Sequence, residues 1–257
     1  MPFLLVNGLK TRYRETGGAC AGPPLLLVHG AAGSSVTWLG LMRQLGRTRR
    51  CLAVDLPGHG QTAMLGEGAA AVSIAAYRDF VDAFANALRL ERVMLVGHSM
   101  GGAVAIEAAL AWPGRVVALG LVGTAARLPV SPAIFDAIDR HFASFAELMA
   151  QAGFSPTTPR ETALRLAALG VQAPQEVVRA DFAACNVWDA RERVAALRTP
   201  AVVVVGEDDV LTPAKWGRWL AVHLPGATLV ALPHAGHLVH LERTAEVARA
   251  LATAAPG

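Results

Sequence analysis

The 257-residue sequence predicts an α/β fold: a mostly parallel sheet with helices on both faces, plus one helical insertion. Three observations carry this expectation. Short apolar runs, each stopped by glycine, histidine or an acid, recur along the chain, as strands buried on both faces do. Between them lie segments with apolar residues three and four apart, the period of a helix packed on one side. From about 125 to 195, helical patterns and turns continue without a convincing strand, far beyond the usual length of a connection.

Taken in order, residues 3–15 read as a hairpin, because Asn7-Gly8 suits a two-residue turn between an apolar run and an alternating one. The segment 25–28 is a buried strand halted by His29-Gly30, 39–45 a helix and 51–55 a second buried strand. A helix is predicted over 73–90, with Ile74, Tyr77, Val81, Phe84 and Leu88 on one face. Then come a strand at 93–96, a helix at 100–111 that Pro113 prevents from running on, and a strand at 116–122. After the insertion follow a strand of valines at 202–205, a helix at 214–224, a strand at 228–232 and a closing helix at 244–254. Strands alternating with helices imply parallel pairing. The expected division is a core of 1–124 and 196–257 with a cap of about four short helices at 125–195, punctuated by Pro129, Pro132, Pro156, Pro159 and Pro174.

Composition narrows the function. With 53% hydrophobic and 17% charged residues the chain is globular in character, and its length suits one α/β domain. The uncharged stretches 93–106 and 116–126 are shorter than the ~20 residues a membrane span needs. Met1 to Val6 lacks a basic lead, so no signal peptide is expected. Cys20, Cys51 and Cys185 are widely separated with no CxxC pair, which argues for reduced thiols and a cytoplasmic setting rather than disulfides or zinc. The net charge of +3 is mild, and Arg47, Arg49 and Arg50 read as a solvated turn, not a nucleic-acid patch. No His, Asp and Glu set has metal-ligand spacing. No cofactor is expected, and the partner is a small-molecule substrate; oligomeric state is not legible.

The chemistry concentrates at Gly97-His98-Ser99-Met100-Gly101, a G-x-S-x-G pattern between a predicted strand and a predicted helix. Holding a serine hydroxyl at the tip of so sharp a turn requires a strained backbone and neighbours without side chains. No Gly-Lys-Ser/Thr follows, so a phosphate loop is excluded. A serine nucleophile needs a base, and the base an orienting carboxylate. Glu207-Asp208-Asp209 follows the valine strand and Pro233-His234-Ala235-Gly236-His237 follows the last strand, both at strand ends where open α/β sheets place their sites. Backbone N–H groups of Ala31, after the 25–28 strand, and Met100, after the serine, are located to form an oxyanion hole.

These segments, "LLLVHGAAGSS", "VDLPGHGQT", "LVGHSMGG", "VVVVGEDDVLTP" and "AGHLVHLER", resemble the α/β-hydrolase-fold superfamily in order and spacing, nearly end to end. The resemblance implies a cap-bearing serine hydrolase with Ser99 as nucleophile, Asp209 as acid and His237 as base. Asp208 or Glu207 takes the acid's place if the turn is displaced by one residue. Thr62 stands where a serine is commoner. His29 and His98 are expected to be structural hydrogen-bonders, His234 and His240 loop or surface residues, Ser34 and Ser35 helix caps, and Trp216 and Trp219 a packing pair. Asp189 resembles a common cap-to-core junction of the family, but a helix start is the better reading. Small or medium carboxylic esters are the default substrates, roofed by Ile134, Phe135, Phe142, Phe145, Leu148 and Phe154. Serine at the elbow, rather than aspartate, argues against haloalkane dehalogenases and most epoxide hydrolases. Leu238, where tryptophan is usual, argues against carbon–carbon bond hydrolases. Lactone or thioester hydrolysis, perhydrolysis, cofactor-free oxygenation and a slow ligand receptor on the same scaffold stay open.

Overall fold

The computed structural model describes residues 2–18, 22–64 and 68–254. Among the described residues eight strands form one sheet: β1 (Phe3–Val6), β2 (Leu9–Thr16), β3 (Leu25–Val28), β4 (Cys51–Val54), β5 (Val93–His98), β6 (Val116–Val122), β7 (Ala201–Gly206) and β8 (Thr228–Leu232). Their spatial order is β1-β2-β4-β3-β5-β6-β7-β8. The hairpin β1–β2 joins the sheet antiparallel, and β4 to β8 pair in parallel. Asn7 and Gly8 both have positive φ (49° and 81°), which a two-residue hairpin turn demands.

Strands β3, β4 and β7 are buried on both faces because their alternate residues enter different cores. Leu26, Val28, Leu52, Val54, Val203 and Val205 join one apolar cluster; Leu25, Leu27, Cys51, Ala53, Val202 and Val204 join the other. That is the two-residue period of a strand covered on each side. Helices α1 (Leu39–Leu45) and α10 (Thr244–Ala254) cover one face, through Leu41, Met42, Val247 and Leu251. The other is covered by α2 (Ile74–Ala87), α3 (Met100–Ala111) and α8 (Ala214–His223), through Tyr77, Phe84, Ile106 and Leu220. Ser73 caps α2 by accepting the Ala76 N–H (3.0 Å), as a serine before an apolar-periodic run should.

Between β6 and β7 lie α4 (Pro132–His141), α5 (Phe145–Ala152), α6 (Arg160–Gly170) and α7 (Gln175–Val187). An isolated bridge between Arg127 and Asp189 and the Ala190 N–H to Ala126 O bond (2.8 Å) bring the two ends of this insertion together. Asp189 heads the turn that follows, accepting the Arg191 N–H (3.0 Å). Among the described residues no helix is long and apolar enough to cross a membrane. Cys51 and Cys185 are buried; Cys20 lies outside the described residues.

Candidate active site

Ser99 sits where β5 turns into α3, with φ 51° and ψ −116°, a conformation that costs an L-residue energy and persists only when its surroundings enforce it. Here the enforcement is by hydrogen bonds. Its N–H donates to Val122 O (3.0 Å), and its carbonyl accepts from Thr124 Oγ1 (2.9 Å) and from the Gly102 N–H (2.8 Å). The turn is also too crowded for side chains. A Cβ on Gly97 would collide with Gly101 O, and one on Gly101 with Val28 O and His29 O, all backbone atoms that cannot swing aside. Gly97→Ala is therefore expected to lower stability by at least about 3 kcal/mol. Urea denaturation checks this; a loss below about 1 kcal/mol would mean the elbow is not confined as described.

At the end of β8, His237 is brought to Asp209, at the end of β7. His237 Nδ1 lies 2.9 Å from Asp209 Oδ2, and Asp209 Oδ1 accepts the Leu211 (2.9 Å) and Thr212 (2.7 Å) N–H groups. A carboxylate held by two amides is a fixed acceptor, so the proton of a neutral His237 ring sits on Nδ1 and Nε2 keeps its lone pair. Among the described residues Ser99 Oγ forms no hydrogen bond; Ser99 and His237 line one cavity, and such contacts commonly tighten only with substrate bound. The other two acids are engaged elsewhere. Glu207 pairs with Arg218, and Asp208 Oδ2 accepts Ser155 Oγ (2.6 Å).

Ala31 lines the same cavity as Ser99 and Met100 follows Ser99 in the chain; among the described residues neither N–H donates to a backbone carbonyl. The remaining histidines divide by depth. His98 is buried, with Nε2 3.0 Å from His237 O, so this nitrogen donates and fixes the backbone of His237. Burial, with the neighbouring His240 and His237, keeps His98 well below the usual imidazole range. His29 accepts the Leu56 N–H at Nε2 (3.0 Å) and faces Gly30 O with Nδ1 (2.8 Å); burial pushes it down to about 4. Both are structural hydrogen-bonders, as expected. His234 is exposed, but His240, expected in a loop or at the surface, is buried against Trp38 and His98, and among the described residues neither of its ring nitrogens has a hydrogen-bond partner. The reason is α9 (Val239–Glu242), a single helical turn that carries His240 inward. Ser34 caps the turn before α1, whereas the Ser35 N–H donates to Asp55 Oδ1 (2.6 Å). Thr62 keeps the hydroxyl of the commoner serine in use, accepting the Arg12 N–H (2.9 Å).

The cavity over Ser99 has a volume of about 390 Å³. Among the described residues no Lys, Arg, Asp or Glu side chain lines it. Its roof differs from expectation. Of the six apolar residues proposed from sequence, only Ile134 lines it; Phe145 and Phe154 are buried in the insertion's own small cores, and Phe135 lies under the Arg179 guanidinium. A four-helix insertion must first bury its aromatic side chains against itself. The lining comes instead from Leu128, Met149, Val171, Phe182 and Cys185, with Trp216 from α8. Trp219, expected to pair with Trp216, stacks on His223. Among the described residues no group of three or more His, Cys, Asp or Glu side chains could hold a metal ion.

A profile described as "Alpha/beta hydrolase family" matches residues 25–250, from β3 into α10. The chain belongs to the alpha/beta hydrolase family. Among its relatives in that family, a pimeloyl-[acyl-carrier protein] methyl ester esterase of Nitrosomonas europaea is 31% identical, over 84% of this chain and 89% of the relative. The dihydrolipoyllysine-residue acetyltransferase component of an acetoin cleaving system from Pseudomonas putida is 32% identical over 94% of this chain. The chain spans 65% of the length of that relative and 31% to 34% of four others. Among solved structures, a thermophilic esterase from Thermogutta terrifontis superposes with a TM-score of 0.85 at 26% identity, covering 98% of this hydrolase-family chain and 96% of its own.

Proposed function

We propose that this protein is a serine hydrolase of neutral, small to medium carboxylic esters, working through an acyl-enzyme on Ser99. The observation that carries the reading is the 2.9 Å bond between His237 Nδ1 and Asp209, which leaves Nε2 available in a cavity shared with Ser99. His237 Nε2 takes the Ser99 proton as Oγ attacks the acyl carbon, and the carbonyl oxygen becomes an oxyanion held by the Ala31 and Met100 N–H groups. Collapse expels the alkoxide, which takes the proton back from His237. Water then attacks the acyl-enzyme with the same base, and releases the acid and Ser99. Asp209 stays ionised and stabilises the transient imidazolium. The insertion at 125–195 acts as the cap that closes over the acyl group.

The ester class is supported by the 31% identical methyl ester esterase, and its neutrality by a cavity wall without charged side chains. Burying an unpaired carboxylate there would cost several kcal/mol. A fluorophosphonate should label the protein stoichiometrically at Ser99. Uncharged nitrophenyl butyrate should be turned over at least about 100-fold faster, in kcat/KM, than the same ester ending in a carboxylate. Labelling without turnover of esters, lactones or thioesters would sink the hydrolase reading in favour of a receptor, which would show ligand-dependent thermal stabilisation instead.

A further inference from the structure

A further carboxylate is buried where the insertion meets the core. Asp181, on α7 of the insertion, is fully inaccessible to solvent. Its Oδ2 accepts the Ala32 N–H (2.9 Å) and faces His59 Nε2 (2.8 Å), and its Oδ1 accepts Tyr77 OH (2.7 Å). Three segments of the core thus converge on one side chain of the insertion: the loop after β3, the loop after β4, and α2. Nothing in the ester-hydrolysis mechanism uses Asp181.

The hydrogen-bond pattern fixes the charges. His59 Nδ1 lies 3.1 Å from Pro57 O, which can only accept. Both ring nitrogens of His59 therefore face acceptors, so both carry protons and the ring is an imidazolium paired with the Asp181 carboxylate. Burial opposes that charge, but Asp181 outweighs it and holds the His59 pKa above its ordinary value. The neighbouring His29, whose Nε2 accepts an N–H, remains neutral.

Ala32 is the residue after the oxyanion donor Ala31, and it has φ 63°. A left-handed alanine does not hold itself in place. Its N–H goes to Asp181 and its carbonyl accepts the Gln172 N–H (2.7 Å), so both polar groups of the strained residue are held by the insertion. The Ala31 N–H belongs to the preceding Gly30–Ala31 peptide unit, so anchoring Ala32 acts on it by fixing where the Ala31 Cα sits; releasing Ala32 would let residues 30–32 shift as a loop and carry the Ala31 N–H with them.

We propose that Asp181, ion-paired to His59, is the positioning residue of the oxyanion hole: the insertion holds Ala32 in its left-handed conformation and thereby aims the Ala31 N–H at the substrate carbonyl. The proposal rests on the serine-hydrolase reading for its catalytic consequence only; the clamp itself is a property of the fold. The insertion is also attached near its Ser155 turn, where Glu242 accepts the Ser155 N–H (2.9 Å) and Thr158 Oγ1 (2.6 Å) and the Gly236 N–H (2.6 Å). The insertion therefore keeps this second attachment when Asp181 is lost.

Asp181→Asn should lower kcat for nitrophenyl butyrate by about 10- to 100-fold, short of the 10²–10³ lost when an oxyanion donor is removed outright, with KM changed less than about threefold. Fluorophosphonate labelling should slow in parallel, and amides at 30–33 should exchange hydrogen faster. Glu107→Gln serves as the control. It disturbs another buried junction, where Glu107 accepts from Trp188 Nε1 (2.7 Å) and Arg193, and should lower the melting temperature with kcat kept within about twofold. If Asp181→Asn fails to fold, the wild-type protein decides by reciprocity. A small methylphosphonyl adduct on Ser99 should then slow exchange at 175–181, residues that do not line the cavity. An Asp181→Asn enzyme with unchanged kcat and unchanged exchange at 30–33, or an adduct that leaves 175–181 unprotected, would overturn the proposal. A wild-type protein that neither labels nor turns over would instead remove the hydrolase reading, and exchange in Asp181→Asn would still decide the clamp.

Discussion

Ser99→Ala is expected to reduce kcat for a neutral nitrophenyl ester by 10⁴–10⁶-fold, an order of magnitude set by nucleophile deletions in serine enzymes. The variant should fold as the parent does. Every hydrogen bond that holds the elbow comes from the backbone of residue 99, and among the described residues its hydroxyl makes none. Deleting Oγ therefore leaves the Val122, Thr124 and Gly102 contacts intact. The informative comparison is with His237→Ala and the double variant. In the proposed mechanism Ser99 and His237 act in one proton-coupled step, so either change alone should cost about as much as both together. Asp209→Asn should cost somewhat less, about 10⁴-fold, by presenting the wrong tautomer of His237. Steady-state and single-turnover kinetics on purified variants measure all four. Independent, multiplicative losses at Ser99 and His237 would be incompatible with the mechanism.

A second large effect is expected in acid. His29 and His240 are pushed down to about 4 and about 3 by burial, and His98 is depressed by burial and by its two neighbouring imidazoles. Above pH 6.5 these groups are neutral in both the folded and the unfolded chain and contribute no slope. Between pH 6.5 and about 4 the unfolded chain binds three protons that the folded chain refuses, so stability falls as pH falls. Three protons correspond to a slope of up to about 4 kcal/mol per pH unit, and a typical domain has only about 5–15 kcal/mol in total. His59 adds nothing in this window, because its raised pKa leaves it protonated in both states there; its contribution is lost instead as pH rises. Urea melts from pH 7.5 to 4.5 test this, and a midpoint that stays level across the range would rule it out. His240→Phe keeps an aromatic ring against Trp38 and His98 and should flatten the slope by about one proton, roughly 1.4 kcal/mol per pH unit.

What could be read without coordinates followed from local rules. The alternation of apolar runs and helical periods is a property of neighbouring residues, so the strands and the helices that cover them were legible to within a few positions. Gly97 and Gly101 around Ser99 mark an elbow because crowding at a turn is local, and Asp209 and His237 were locatable because parallel strands deliver their C-terminal ends to one rim. Asp181 carried a faint signal: it shares one stripe of α7 with Val177, Val178, Ala184 and Cys185, an acid in the middle of a buried face.

The remainder was settled only when distant segments met. Which of Glu207, Asp208 and Asp209 reaches His237 depends on the path of one turn, and Arg218 and Ser155 engage the other two. His240 is buried by a single helical turn that no periodicity announces. The aromatic residues of 125–195 could not be assigned to cavity or core from their order, because an apolar side chain takes whichever surface is nearest once the helices pack. The Asp181–His59 pair joins residues 122 positions apart. The sequence alone therefore determined the strands, the elbow and the fold family, all of which rest on short-range patterns. Tertiary packing decided the partners of buried charges and the shape of the cavity, since electrostatic pairing and exclusion of water depend on distance in space rather than along the chain.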